Sequence, residues 1–414
     1  MIVAETLLKE KIGYMLAAAL IFLGTYLVLA VGRLPGFRVD RTGAAIIGAG
    51  LMIAFNVLTL EEAYASIDHN TIMLLFGMMI VVANLRLSGF FAAVAERAVR
   101  HAHHRLSLLA AIVAVSGVFS AFFVNDTMCL VLTPMVIEIV LALGRNPVPY
   151  LLAVAMSSNI GSVATITGNP QNMMIGIFSG IHYRHFAAEL APVGALGLLV
   201  AFGMIALIYR KEFGNSEAVV LECRRVRVNR VLMWKSLAAS GLMILFFFAG
   251  WPIAKVAIVA GALLLITRRV KPEKIYHEID FSLLVLFTGL FIVIAGIEKT
   301  PLPSQALALV SGYGLERPAV LSTVAALLSN LASNVPAVLL FKPIIPHFAD
   351  PSRAWLVLAM ASTLAGNLTV LGSIANLIVV QKARRYASIS FWEYFKVGLP
   401  LTIVTIAIGV LLLR

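Results

Sequence analysis

Charge is scarce in this sequence of 414 residues. Asp, Glu, Lys and Arg make up 13% of it, about half the ~25% of an ordinary soluble domain. That shortage excludes a large soluble domain. With 61% apolar residues and a mean hydropathy of +0.97, the chain reads as an all-α polytopic membrane protein. Cysteine is nearly absent. Cys129 falls in an apolar run and Cys223 in a basic loop, which argues against a disulfide framework and against a metal cluster. There is no His-Glu-x-x-His motif, and His101, His103 and His104 sit among arginines, where ligands rarely converge on a metal. No pairing of His with Ser or Asp has the spacing of an intramembrane enzyme, and no cofactor is expected. Met1 to Lys11 lacks the basic n-region and cleavage site of a signal peptide, and the first apolar run is as long as a span.

What charge there is leans positive, at +12. Cytoplasmic loops of membrane proteins collect Lys and Arg, so the expected partner is the lipid bilayer and not nucleic acid. A span needs about 20 apolar residues. Ten are predicted, near 12–32, 43–59, 71–90, 148–176, 190–209, 231–249, 252–267, 281–297, 353–381 and 397–413. The stretches 106–143 and 317–346 are too long for one span and carry polar centres, Val124-Asn125-Asp126-Thr127 and Ser333-Asn334-Val335-Pro336. Taken as re-entrant hairpins, they leave Arg33, Arg38, Arg41, Arg97, Arg100, the loop Arg210 to Arg230, the cluster Arg268 to Lys274 and the cluster Lys382 to Arg385 on one face. The positive-inside rule makes that face cytoplasmic, with both termini outside.

Two spans carry polar interruptions. The stretch Ser157 to Asn172 holds Asn159, Asn169, Asn172 and Gln171, several hydroxyls, Gly161, Gly168 and Pro170, and no charge. The stretch Gly366 to Asn376 resembles it. Non-helical backbone at membrane depth is tolerated only inside protein or beside a wet cavity. The free N–H and C=O groups of a broken helix can hold anions and cations. The two halves echo each other at a near-constant offset: Phe76 with Phe287, Asp68 with Asp280, Asn125 with Asn334, Pro134 with Pro343, and Gly168 to Asn172 with Gly372 to Asn376. An odd number of crossings per half makes the repeats inverted, a recurrent secondary-transporter plan. Residues 1–209 form the first repeat, with its hairpin at 106–143 and broken span at 148–176. Residues 210–230 form a cytoplasmic linker. Residues 231–414 form the second repeat, with its hairpin at 317–346 and broken span at 353–381.

The candidate site follows from the two tips and two breaks. From the first half come Asn125, Asp126, Thr127, Asn159, Thr165, Thr167, Gly168, Asn169 and Asn172. The second half supplies Ser333, Asn334, Asn367, Thr369, Gly372, Ser373 and Asn376. Asp126 is a carboxylate near membrane depth, by default functional, and is read as a proton or cation coupling site; a cap on the hairpin tip is the alternative. The amides and hydroxyls are candidates to hold Na⁺, Asn125 and Asn334 above all, or an anion. Their alternative role is to satisfy the broken backbone. Glu138 is a weaker candidate near the cytoplasmic face, and Lys342 is expected to snorkel to the interface.

The order Asn-Asp-Thr, Ser-Asn-Ile-Gly…Thr-Gly-Asn-Pro-Gln-Asn, Ser-Asn-Val-Pro, Gly-Asn-Leu-Thr…Gly-Ser-Ile-Ala-Asn resembles the ion transporter superfamily, which includes arsenite permeases, citrate-type carriers and divalent anion:sodium symporters. The dicarboxylate carriers show Ser-Asn-Thr in both hairpins. Asn125-Asp126 is more similar to the arsenite permease branch. The resemblance implies two inverted five-span repeats, a scaffold that forms a homodimer, and an elevator-like transport domain made of the hairpins and broken spans. The expected function is a secondary active transporter of a small anion or oxyanion (arsenite or antimonite, a carboxylate, an inorganic anion), or of a neutral oxyacid, in the cytoplasmic membrane. Its coupling ion is H⁺ or Na⁺. A sodium/proton antiporter is the alternative; a channel or an intramembrane enzyme is remote.

Overall fold

The computed structural model describes residues 2–32, 36–100, 104–214, 228–268, 270–311 and 314–414. His101, His103, Cys223 and most of the 210–230 linker lie outside the described residues. The first half runs α1 (Ile2–Val31), α2 (Arg41–Ala54), α3 (Leu60–Ser66), α4 (His69–Ser88), α5 (Phe90–Arg100), α6 (Arg105–Phe122), α7 (Asn125–Ala142), α8 (Pro147–Ser162), α9 (Pro170–Ser179), α10 (Tyr183–Ile208) and the short α11 (Arg210–Phe213). The second half follows with α12 (Arg230–Phe248), α13 (Ile253–Leu265), α14 (Pro272–Tyr276), α15 (Phe281–Glu298), α16 (Leu302–Ser311), α17 (Pro318–Ala332), α18 (Asn334–Phe341), α19 (Pro351–Ala365), α20 (Ile374–Ala383) and α21 (Phe391–Leu412). Eight of these helices are long and apolar enough to cross a membrane.

Helix boundaries follow local chemistry. Asp68 and Asp280 occupy equivalent N-caps, accepting from the Thr71 and Leu283 backbone N–H groups; such caps satisfy otherwise orphaned donors. The span expected at 43–59 is shorter. Its helix ends at Ala54 because Asn56 turns left-handed, at φ 55°. Thr59 and Glu62 then form a capping box that starts α3. The segments expected at 252–267, 148–176 and 353–381 fall within two or three residues of the observed helices.

Each long polar-centred stretch doubles back. Residues equidistant from Val124, such as Ile112 with Val136 and Ser116 with Leu132, line one small cavity between α6 and α7. The tip sits against the first break: Asn125 bonds Asn159, which lies twelve residues into α8, about 18 Å from its start.

The two repeats interlock. Gly77 of α4 lies against the Ala257 backbone of α13, so that a Cβ there would sit 2.5 Å from it. Gly289 of α15 lies against the Ala45 backbone of α2, where a Cβ would sit at 2.7 Å. Both pairs obey the same 212-residue offset. Each half's third span therefore packs on the other half's second span, and the halves are sequence repeats without being separate packing units. Only glycine allows helices this close at those crossings.

Candidate functional site

Both breaks have one design. Helix α8 ends at Ser162, a 3₁₀ turn covers Ile166–Gly168, and α9 starts at Pro170. In the second half α19 ends at Ala365, a 3₁₀ turn covers Val370–Gly372, and α20 starts at Ile374. The freed carbonyls need donors. Asn172 donates to the carbonyls of Ser162 and Thr165 at 3.0 and 3.1 Å. Asn376 donates to those of Gly366 and Thr369 at 2.6 and 3.0 Å. Every partner is shifted by 204 residues. Gly168 and Gly372 occupy equivalent places. A Cβ at Gly168 would stand 2.1 Å from the Ser162 carbonyl; at Gly372 it would stand 3.0 Å from that of Gly366.

The breaks meet at Asn159. Its Oδ1 accepts from Asn125 at 3.0 Å and from the Ser373 hydroxyl at 3.1 Å. Its Nδ2 donates to Asn367 at 2.9 Å and to Asn376 at 3.0 Å. The first tip, its own break and the opposite break thus share one amide, with all four of its bonds used. Thr363, at the equivalent position of the second half, accepts from Asn169 and Gln171, both at 3.2 Å, and donates to Asn172 at 3.3 Å. The Asn334 amide, turned to suit its neighbours, donates to the Ser362 and Gly372 carbonyls at 3.1 and 3.2 Å and accepts from Gln171 at 3.3 Å.

Most of the expected ligands are therefore committed to one another. Asn159, Asn169, Asn172, Asn367 and Asn376 are fully buried. Thr165 bonds the Ala121 carbonyl, and Thr167 pairs with Tyr183 at 2.9 Å. Ser373 caps α20, while Thr369 bonds Asn330 at 3.2 Å. Ser333 shapes the second tip, at φ 79°. What stays open is concentrated at the first tip. Asp126 and Thr127 are half-buried. The Asp126 carboxyl faces the Ala375 backbone N–H at the start of α20. The Asn125 Oδ1 has no partner among the described residues.

Five partners, Ser162, Gln171, Tyr183, Asn330 and Thr363, are not among the expected site residues. Thr363 was findable, as the 204-residue counterpart of Asn159. Lys342 does not simply snorkel: it pairs with Glu298 of α15 at 3.3 Å and lies over the Phe178 ring at 5.6 Å.

Residues 26–365 match the citrate transporter family CitMHS. The chain belongs to that family. It is 32% identical to the silicon efflux transporter LSI3 of Oryza sativa subsp. japonica, over 94% of this chain and 95% of that protein. It is 24% identical to the putative transporter arsB of Dictyostelium discoideum, over 95% and 90% of the two chains. A 46 kDa membrane protein of Mycobacterium leprae is 27% identical, over 95% and 96%. The fold resembles the crystal structure of the Alcanivorax borkumensis YdaH transporter, with a TM-score of 0.59 at 14% identity, covering 98% of this chain and 97% of that one. The protein is a multi-pass membrane protein and a secondary transporter of the CitMHS and arsB type.

Proposed function

We propose that the protein carries a small oxyanion, or the neutral oxyacid it derives from, with a proton bound at Asp126 as the coupling charge. The carrying observation is the first tip. Asp126 is a half-buried carboxyl beside a helix N-terminus, and its neighbour Asn125 is tied directly into the amide that joins both breaks. A proton gained or lost there alters the charge beside that junction, where an isolated charge is costly. The committed amides leave helix N-termini as the main anion-holding groups, which suits a small oxygen-rich solute and a neutral acid. A silicon efflux transporter among the relatives and the likeness to arsenite permeases support that solute class. Na⁺ in place of H⁺ would use the unpartnered Asn125 Oδ1.

In this reading the protein lies in the cytoplasmic membrane as a homodimer, with the Arg-rich loops inside and both termini outside. The hairpins and broken helices move as a unit against the scaffold of α1, α2, α4, α12, α13 and α15. Proteoliposome uptake of silicic acid, arsenite, sulfate and citrate, each under a separate H⁺ or Na⁺ gradient, tests it. The expected result is flux of silicic acid, arsenite or sulfate driven by the pH gradient. Flux of citrate alone, of none of the four, or Na⁺/H⁺ exchange alone, would contradict it.

A further inference from the structure

The inverted halves also differ at their two ends. On the face of the Arg-rich loops, a cavity of about 680 Å³ opens between α7 and α20. Glu138, Gln381, Lys382, Arg385 and Tyr386 supply its polar lining and Pro134 an apolar wall. All six are exposed. Glu138, Lys382 and Arg385 form no ion pair among the described residues. Along α7 the partly open positions Thr127, Leu130, Pro134 and Glu138 follow helical spacing from the tip to this cavity. Glu138 stands twelve residues, about 18 Å, from Asp126.

The corresponding place in the second half is built differently. Pro343, the counterpart of Pro134, lines a cavity of about 370 Å³ with Phe22, Leu23, Leu339 and Ile344. Phe178 stands where the repeat would put Lys382, and Ile181 where it would put Arg385. Lys342 at that end is already neutralised by Glu298. Of the two equivalent cavities, only the one between α7 and α20 is lined by cations among the described residues, and it lies in line with Asp126 along α7.

We infer that the cavity between α7 and α20 is a docking site for the transported oxyanion on the Arg-rich face, held by Lys382 and Arg385 before it reaches the break. The ligand class rests on the function proposed above, but the site can be tested without transport. Two cations against Glu138 leave a positive excess, and low-dielectric walls focus such a field. A Leu141→Cys variant places a thiol on the cavity wall, with Cys223 replaced by Ser and the buried Cys129 left in place. In phosphatidylcholine proteoliposomes, sulfonatoethyl methanethiosulfonate (an anion) should modify it about 10-fold faster than the trimethylammonioethyl reagent (a cation), after correction for their rates with a free thiol. The double change Lys382→Gln, Arg385→Gln should erase the preference, and Lys382→Arg should keep it. Citrate and sulfate in the bath should slow the reaction in the parent and not in the double variant. A preference unmoved by the double change overturns the inference. So does one that vanishes when phosphatidylglycerol is added, which would assign the cations to a lipid headgroup. Labelling as expected with no oxyacid flux would leave the docking site standing and remove the transport reading alone.

Discussion

The two hairpin tips make the same turn from different chemistry. At the first, Val124 keeps a negative φ of −42°, and the next two residues are an amide and a carboxylate. At the second, Ser333 is forced to φ 79°, and the place matching Asp126 is held by buried Val335. The second tip is also tied to the scaffold: Tyr26 of α1 donates to the Pro336 carbonyl at 3.0 Å, and Lys342 pairs with Glu298 of α15. The breaks beneath the tips remain closely equivalent. Symmetry is kept where the backbone needs donors and given up at the tips, on which the proposed function rests.

That comparison can be broken in four places. Asp126→Asn should reduce pH-driven flux to background, while Val335→Ala should leave most of it; equal losses in proteoliposome assays would erase the functional difference between the tips. Asn159→Ala leaves Asn125, Asn367 and Asn376 short of partners, at ~1–3 kcal/mol for each buried group. It should destabilise the protein by about 3–5 kcal/mol in denaturant unfolding, against about 1–2 kcal/mol for Thr363→Ala. Gly168→Ala puts a Cβ 2.1 Å from a backbone carbonyl and should lower thermal stability more than Gly372→Ala; the reverse order would mean that the first break is the looser one. Ser333→Gly should stabilise by about 1 kcal/mol, because a Cβ is strained in that region of φ. Val124→Gly should bring no such gain, and unfolding midpoints would compare the two.

Much of this was legible from residue type. A helix broken in a membrane must satisfy its own carbonyls, so Asn172 and Asn376 had to recur at one spacing, and the repeat showed through them. Asp126 stood out because a carboxylate in an apolar run is rare. Other features depended on closure in space. Gly77 marks a close approach but does not name Ala257, 180 residues away, as the neighbour. The polar run Ser157 to Asn172 suggested a wet, ligand-lined wall. The fold instead spends most of those groups on each other, because Asn159 meets the opposite break. Nor does sequence pair Lys342 with Glu298, 44 positions earlier, or show that α2 stops at Ala54. Those outcomes follow from one left-handed residue or one tertiary contact, which periodicity does not report.

Paired cysteines at the tips test the central asymmetry most directly. Asp126→Cys and Val335→Cys, each made in a Cys223→Ser background, would be exposed to a membrane-impermeant thiol reagent from each side of sealed vesicles. The first should react from the face that carries the Arg-rich loops, and the second should react from neither. Equal reaction at both positions, or reaction of Val335→Cys alone, would contradict the account.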